Sequence, residues 1–262
     1  MIFFRSVHSA ECFRLLLQAV QPDMVLDIGS RDGKDALLFR QTVQQARLLA
    51  FEANPLLCDR MRQDNRLADA NIGVYCVAIS NTNGITLFSI FHKDKKLGSL
   101  RAPSGWEVTE AFNVEAKRLD SFSELKKYKH IALWIDVEGC SYEVMEGLGE
   151  LIHSVSFVHA EVETECLWND QKLYPDFLHF METHGFMQIG LEIKPRKHRQ
   201  GNAVFIRREL IRDPAVRRVI VMANLRNLFA LKSHARNVRY RLRKKYPIFW
   251  AYGRRIKNFF IL

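Results

Sequence analysis

The sequence predicts an α/β fold of the Rossmann-like type, a mostly parallel twisted sheet with helices on both faces. The first indication is that strand-like apolar runs alternate with helical patterns along most of the chain, as in parallel sheets joined by right-handed crossovers. The second is that several runs, such as 24–28 and 131–137, are almost continuously apolar. Strands covered on both faces have this pattern, whereas half-exposed strands alternate.

The alternation extends from about residue 8 to residue 206. One stretch, residues 91–113, is polar and contains glycine, proline and a lysine cluster, which is typical of a connecting or binding loop. The predicted strands are 24–28, 48–51, 72–78, 85–90, 131–137, 155–162, 186–191 and 203–206, and the predicted helices are 33–45, 55–69, 121–128, 141–151 and 171–184.

The net charge of +10 is unevenly distributed. Residues 207–262 hold 16 Lys/Arg and 2 Asp/Glu, whereas residues 1–206 hold 23 and 27. We therefore predict two parts: an α/β domain over 1–206 and a basic, amphipathic, helical extension over 207–262. Because the excess positive charge belongs to the extension, it gives no argument that the α/β domain binds nucleic acid.

The cysteines are odd in number and widely spaced, with no Cys-x-x-Cys pair. We therefore expect reduced thiols that pack as small apolar side chains, not a disulfide framework or a zinc site. No apolar run is long enough to span a bilayer, and no cleavage site follows the apolar residues near the N-terminus. These features predict a cytoplasmic protein. The cysteines are Cys12, Cys58, Cys76, Cys140 and Cys166.

A strand, a glycine turn and the start of a helix lie at residues 25–33, Val-Leu-Asp-Ile-Gly-Ser-Arg-Asp-Gly. Gly29 can adopt backbone angles closed to other residues, and it lets the main chain approach a ligand at the carboxyl end of the strand. The spacing is not the Gly-x-Gly-x-x-Gly of dinucleotide sites, which disfavours NAD and FAD. It suits S-adenosylmethionine (SAM), which has no phosphate and whose ammonium group Asp27 is placed to bind.

An acidic residue, Glu52, ends the second predicted strand in the sequence Phe-Glu-Ala-Asn-Pro. A carboxylate at this point can accept hydrogen bonds from both hydroxyls of a ribose. The third predicted strand leads into residues 76–80, at the place where adenine lies in such sheets. The residues predicted to contact SAM are Asp27, Gly29, Ser30, Asp32, Gly33, Glu52, Asn54, Ala78, Ser80 and Asp136.

Two groups of ionisable residues lie on later strands. Asp136 and Glu138 are separated by one residue, so in an extended chain both carboxylates point to the same side. His159, Glu161 and Glu163 alternate along the next strand and also share a face. Three ionisable groups on one face are poorly explained by core packing. They would be explained by a pocket for the molecule that accepts the methyl group. Exposure at the edge of the sheet is the alternative interpretation.

Five segments carry a family pattern: residues 25–33, 51–55, 77–84, 118–122 and 134–139, the last reading Trp-Ile-Asp-Val-Glu-Gly. Over about residues 20–206 the chain resembles the FkbM-type SAM-dependent methyltransferases. The resemblance implies a class I methyltransferase fold, SAM as cofactor and O-methylation of a sugar or other hydroxylated metabolite, often in polysaccharide or natural-product pathways. The extension matches no element of the family.

Methyl transfer to a hydroxyl requires that the acceptor be positioned and lose its proton. We predict Asp136, Glu161 and His159 as catalytic residues, with Asp136 first, and Glu138 and Glu161 as acceptor-binding residues. Paired carboxylates can also hold a divalent metal. A metal site is not favoured, because no set of three or four ligands stands out in the sequence.

Three hypotheses for the function stay open. The leading one is SAM-dependent O-methylation of a sugar, glycan precursor or related metabolite. The second is methylation of nucleic acid or protein guided by the basic extension, although the sequence contains no Asn/Asp-Pro-Pro-Tyr/Phe motif of the kind expected there. The third is a non-catalytic protein that retains the fold and docks to a membrane or partner.

The extension combines apolar positions at helical spacing, clustered Arg and Lys, and aromatic residues near its end. This composition suits an anionic membrane surface, which would place the protein peripherally at the inner membrane. Packing on the domain or on a partner subunit is the next alternative, and binding to nucleic-acid phosphates is the third. The sequence leaves the oligomeric state open.

Overall fold

The computed structural model describes residues 9–91, 97–102, 107–193 and 200–222. Its centre is a seven-stranded sheet. The strands are β1 (Met24–Ile28), β2 (Arg47–Phe51), β3 (Ile72–Tyr75), β8 (Ile131–Ile135), β9 (Val155–Glu163), β10 (Phe186–Ile193) and β11 (Gln200–Arg207). They lie in the order β10-β11-β9-β8-β1-β2-β3. The pairs from β9 to β3 are parallel, and β11 is antiparallel to both its neighbours. The predicted mostly parallel sheet is confirmed.

Helices cover both faces of this sheet, as predicted. On one face, Phe13, Leu16 and Phe39 pack on strand residues such as Val25, and the opposite face has its own apolar cluster. The two clusters follow from the pleat, because successive side chains of a strand point to opposite faces. The helices are α1 (Ser9–Val20), α2 (Lys34–Thr42), α3 (Pro55–Arg62), α4 (Asn65–Asp69), α5 (Ser141–Glu146) and α6 (Tyr174–Thr183), and the 3-10 helices are Leu119–Ser121, Ser123–Lys127, Gly149–Ser154 and Arg208–Arg212.

A second, four-stranded sheet was not predicted. Its strands are β4 (Ala78–Ile79), β5 (Gly84–Ile90), β6 (Gly98–Ser99) and β7 (Glu110–Lys117), in the order β4-β7-β5-β6. Both β6 and the start of β7 fall in the stretch 91–113, which the sequence suggested to be a loop. Strand β7 alternates exposed polar residues with a few buried apolar ones, so it lacks the continuous apolar run that identified the central strands.

Two cysteines form a disulfide, which corrects the expectation of free thiols for this pair. Cys58 on α3 is bonded to Cys76, which follows β3. The two lie 18 residues apart in sequence, and their pairing depends on α3 packing over the end of β3, which spacing alone does not predict. Cys12 and Cys140 are buried and free, as expected, and Cys166 is free and exposed.

The described part of the extension packs on the domain. Residues 214–222 are helical, and Val216 and Val219 are buried in the same apolar cluster as Phe13. The predicted helical character of residues 223–262 lies outside the described residues. Among the helices of the described segments, none is both long and apolar enough to cross a bilayer.

Candidate active site

A cavity of about 340 Å³ opens at the carboxyl ends of β1, β2 and β8. In open α/β sheets this edge holds ligands, at the point where the chain connections diverge to either side. Strand β1 is that point, because it pairs with β2 on one side and β8 on the other. Three carboxylates line the cavity, those of Glu52, Asp136 and Glu138, and Arg31 is the single basic residue among the described ones that line it. The cavity therefore suits a cation.

The Gly29 turn connects the cavity to β8. Gly29 has φ +82°, and a Cβ on it would lie 2.1 Å from the carbonyl oxygen of Asp136. The amide of Asp136 donates to Ile28 O at 2.8 Å, and the amides of Gly29 and Ser30 donate to Phe51 O at 3.0 Å. Glycine was predicted here for the approach of a ligand. The contact that the structure contains is with the main chain of Asp136, which this turn holds at the cavity wall.

Asp27 lies beneath the turn and is 2% exposed. Ser30 Oγ donates to its Oδ2 at 2.5 Å, whereas Oδ1 is buried without a hydrogen-bond partner among the described residues. Burial raises the pKa of Asp27 to about 8, against the lowering effect of the Ser30 hydrogen bond. An oxygen in this state would be satisfied by a donor such as an ammonium group or a water molecule bound to one.

Glu52 is held rigidly at the end of β2. Its Oε2 accepts from the amide of Arg31 at 2.7 Å, and its Oε1 accepts from the amide of Asn54 at 2.7 Å. Burial raises the pKa of Glu52, and these amide hydrogen bonds oppose the rise. Each oxygen keeps acceptor capacity, so the carboxylate presents two fixed acceptors to the cavity. Asn54 also caps α3 by accepting from the amide of Leu56.

Not every residue predicted to contact SAM lines the cavity. Gly29, Glu52, Asn54, Ala78 and Asp136 do, and Asp27 and Ser30 lie directly below the turn, as described above. The structure does not bring the remaining three to the wall. Asp32 forms an ion pair with Lys34 on the surface. Gly33 packs against Leu67, whose side chain occupies the space that a Cβ would need. The amide of Ser80 donates to Lys117 O on the second sheet.

Two carboxyl groups predicted from strand alternation, those of Glu138 and Glu163, lie near the carboxyl ends of β8 and β9. Gln200 Nε2 donates to Glu138 Oε2 at 2.7 Å, and the amide of Gly139 donates to Glu163 Oε1 at 3.1 Å. Burial is the main reason that the pKa of Glu138 and of Glu163 is raised, in each case to about 7. Glu138 lines the cavity, whereas Glu163 does not.

Asp136 and Glu161 form a hydrogen-bonded carboxyl pair. Burial raises the pKa of Glu161 well above its usual value, and the neighbouring carboxylates raise it further. Burial also raises the pKa of Asp136, followed by Asp35, whereas Arg31 and the bond to Glu161 lower it. The interaction between the two groups acts in opposite directions on them: it lowers the pKa of Asp136 and raises that of Glu161.

His159 shares a strand face with Glu161 but lies deeper. Its ring stacks on Trp134 at a centroid distance of 3.6 Å and packs edge-on against Phe13, and its Nε2 lies 3.4 Å from Ser9 Oγ. Burial lowers its pKa to about 3, so the ring is neutral. Because it lies under α1 and not at the cavity, the structure does not bring it together with Asp136.

One set of three possible metal ligands exists among the described residues. Glu138, Glu161 and Glu163 each offer one oxygen, and these oxygens lie within 4.8 Å of one another. Sequence reasoning did not assemble this set, because it treated the two strands separately. Glu161 Oε2 is buried without a hydrogen-bond partner among the described residues.

Part of the cavity wall comes from residues that sequence reasoning missed. Most of these belong to the second sheet and its connections. Strand 85–90 and segment 76–80 were predicted, but the second sheet that brings Phe88 and the residues of the 97–100 segment to this cavity was not. Arg31 is the exception, since it lies inside the glycine turn and could have been included from its position. The missed lining residues include Arg31, Val77, Phe88, Leu97, Ser99 and Leu100.

Residues 27–187 match the family described as Methyltransferase FkbM domain. The chain is 31% identical over 173 residues to the 2-O-methyltransferase NoeI of Sinorhizobium fredii, a match that covers 61% of this chain and 68% of NoeI. It is 28% identical over 162 residues to the hexuronic acid methyltransferase AglP of Haloferax volcanii, covering 58% of this chain and 61% of AglP.

Among solved structures, the fold is similar to that of a methyltransferase FkbM from Methylobacillus flagellatus, with 11% identity and a TM-score of 0.47, over 71% of this chain and 44% of that one. The family match contains the glycine turn, Glu52 and the Asp136 segment, all of which meet at one cavity. The chain therefore belongs to the FkbM methyltransferase family, and it is a methyltransferase of class I fold, as the resemblance in its sequence implied.

Proposed function

We propose that the protein transfers the methyl group of SAM to a hydroxyl of a sugar, glycan precursor or related metabolite. The observation that carries this proposal is the cavity in which Glu52, Asp136 and Glu138 face one another across the end of β1. The two relatives described above are named for 2-O-methylation and for a hexuronic acid, which supports a hydroxyl on a carbohydrate as the acceptor.

The residues of the cavity fit SAM. The fixed oxygens of Glu52 would hold the ribose hydroxyls, and the unsatisfied Oδ1 of Asp27 would receive the ammonium group, directly or through water. The apolar segment 77–79 and Leu57 line the same cavity and would cover adenine. When bound, SAM supplies an electrophilic methyl group on a sulfonium cation, a charge that the carboxylates favour.

Asp136 is the residue that we assign as proton acceptor for the reacting hydroxyl. It lines the cavity, it is held by the Gly29 turn, and its interaction with Glu161 lowers its pKa against the effect of burial, which favours the ionised form. Glu161 does not line the cavity and so acts through Asp136 as a positioning residue. Glu138, which Gln200 holds in place, binds hydroxyl groups of the acceptor.

Glu52→Gln is the variant that tests the cofactor part of the proposal. It keeps the size of the side chain but replaces one acceptor oxygen by a donor and removes the charge, so we expect SAM and S-adenosylhomocysteine (SAH) to bind about 100-fold more weakly. Isothermal titration calorimetry measures both affinities. The matched control is Glu192→Gln, because Glu192 also accepts two hydrogen bonds, from Ser9 N and Oγ, but lies outside the cavity.

Wild-type protein that binds neither SAM nor SAH would contradict the proposed function and favour a non-catalytic protein that retains the fold. If the two variants weakened SAM and SAH binding equally, the loss of affinity would be a general effect and not specific to the cavity. Methyl transfer from labelled SAM to RNA or protein, with none to glycosides, would favour the alternative acceptor class.

We further propose that the basic extension binds anionic membrane surfaces and places the protein peripherally on the cytoplasmic side. The support is the charge of residues 207–262 described above. Replacing Arg241, Arg243, Lys244 and Lys245 together with glutamine should abolish most cosedimentation with vesicles rich in phosphatidylglycerol. The control replaces four exposed cations of the domain, Arg60, Arg62, Lys126 and Lys127. Equal sedimentation of all three proteins would refute the membrane proposal.

A further inference from the structure

A short segment of the second sheet closes one side of the cavity. We call residues 97–102 the strap. Leu97, Gly98, Ser99 and Leu100 line the cavity, and Gly98 and Ser99 pair with β5 as strand β6. The strap therefore forms a wall that belongs to the second sheet, opposite the wall that belongs to the central sheet. The two walls are joined by side chains at positions 99 and 101.

Arg101 joins the strap to the segment that carries Glu138. Its Nε donates to Gly139 O at 2.9 Å, and its Nη1 donates to Asn169 O at 2.9 Å. Its Nη2 forms an ion pair with Glu143 on α5. Every nitrogen of the guanidinium thus contacts a different residue, and all three lie on the side of the central sheet.

Ser99 provides a second connection. Its Oγ donates to Glu138 O at 2.7 Å and accepts from the amide of Arg101 at 3.0 Å. In the return direction, the amide of Asn169 donates to Ala102 O at 2.9 Å. The main chain that directly follows the Cα of Glu138 is therefore fixed to the strap at two carbonyls, those of Glu138 and Gly139.

Arg101 does not line the cavity, so it has no direct contact with a ligand there. Its side chain is 17% exposed and that of Glu143 is 13% exposed, which makes these contacts less screened than surface ion pairs. A planar guanidinium can hold three acceptors in fixed directions, whereas lysine offers one nitrogen. The arrangement therefore depends on arginine and not on positive charge alone.

We propose that Arg101 is a positioning residue that locks the strap against the Glu138–Gly139 main chain and so keeps the cavity closed around its ligand. This inference rests on the proposed function, since it takes an adenosyl ligand as the occupant. Without the contacts of Arg101, the strap and the Glu138 segment separate more easily. The bound ligand is then released faster, and the carboxylate of Glu138 is held less precisely.

The test measures SAH binding by surface plasmon resonance on the full chain. Arg101→Lys keeps the charge beside Glu143 but loses the contacts to the two carbonyls, so we expect the dissociation rate of SAH to rise about tenfold. Glu143→Gln keeps both carbonyl contacts and should raise it by less. The control is Arg118→Lys, because Arg118 also combines an ion pair, with Asp120, and a carbonyl contact, Asn81 O, away from the cavity.

A merely structural role would lower the melting temperature of Arg101→Lys and Arg118→Lys alike and leave the SAH dissociation rate of the folded protein unchanged. That result overturns the inference while wild-type binding of SAH leaves the proposed function intact. If Arg101→Lys does not fold, Ser99→Ala replaces it, because it removes the bond to Glu138 O and the bond from the Arg101 amide but leaves the guanidinium in place. An unchanged dissociation rate in Ser99→Ala then overturns the inference, and a faster one supports it.

Discussion

Gly29→Ala is expected to destabilise the fold by about 3 to 5 kcal/mol and to abolish measurable SAH binding. The added Cβ would lie 2.1 Å from Asp136 O, a main-chain atom, and the residue would have to keep φ +82°. Relief requires that the glycine turn move away from the end of β8. The turn and Asp136 would then no longer face each other across the cavity. Urea denaturation measures the stability, and calorimetry with SAH measures the binding.

Gly185→Ala is the matched control for this change. Gly185 has φ +83°, almost the same as Gly29, but the nearest atom to its Cβ would be Arg207 Nη1 at 3.6 Å. Alanine at position 185 adds only the backbone strain of a positive φ, which should lower the stability by about 1 kcal/mol. The affinity for SAH should be unchanged. If both variants lose the same stability and the same affinity, the close approach of Asp136 is not the reason that position 29 requires glycine.

Asp136→Asn is expected to lower the rate of methyl transfer about 10²- to 10³-fold, because the carboxamide cannot accept the proton of the acceptor hydroxyl. SAH binding should weaken by much less, since Glu52 and the glycine turn are unchanged. The measurement is the transfer of labelled methyl from SAM to a panel of methyl glycosides, with and without EDTA. A loss with EDTA that Mg²⁺ reverses would instead implicate the oxygens of Glu138, Glu161 and Glu163.

Glu161→Gln distinguishes the role of Glu161 from that of Asp136. Glutamine retains a donor for Asp136, as the protonated Glu161 does, so we expect a far smaller effect than that of Asp136→Asn. Glu161→Ala removes the donor and should raise the pKa of Asp136, which moves the acid limb of the pH–rate profile to higher pH. Equal losses in Asp136→Asn and Glu161→Gln would contradict the assignment of the proton acceptor.

The central sheet could be predicted because its strands leave a strong signal. Strands β1 and β8 are short apolar runs buried on both faces, and the carboxyl edge of a parallel sheet places Gly29, Glu52 and Asp136 together without further information. Periodicity also predicted that His159 and Glu161 share a face. Periodicity could not predict how deeply the two side chains are buried. Helix α1 covers His159, whereas Glu161 lies beyond the end of this helix.

The second sheet and the disulfide could not be predicted for a different reason. Strand β7 is half exposed, with pairings that depend on β5 and β4, and each of these contacts forms between segments far apart in sequence. The bond between Cys58 and Cys76 likewise depends on how α3 lies over β3. Because the strap belongs to this second sheet, sequence patterns did not predict the wall of the cavity that it forms.

Strand β11 runs against its neighbours, and this reversal has a consequence for the position of Glu138. A strand of opposite direction starts where the others end, so Gln200 emerges at the cavity edge and reaches Glu138. The segment shared with the family stops at residue 187, thirteen positions earlier. The side chain that orients Glu138, the carboxylate proposed to bind the acceptor, is thus supplied from outside the segment that matches the family.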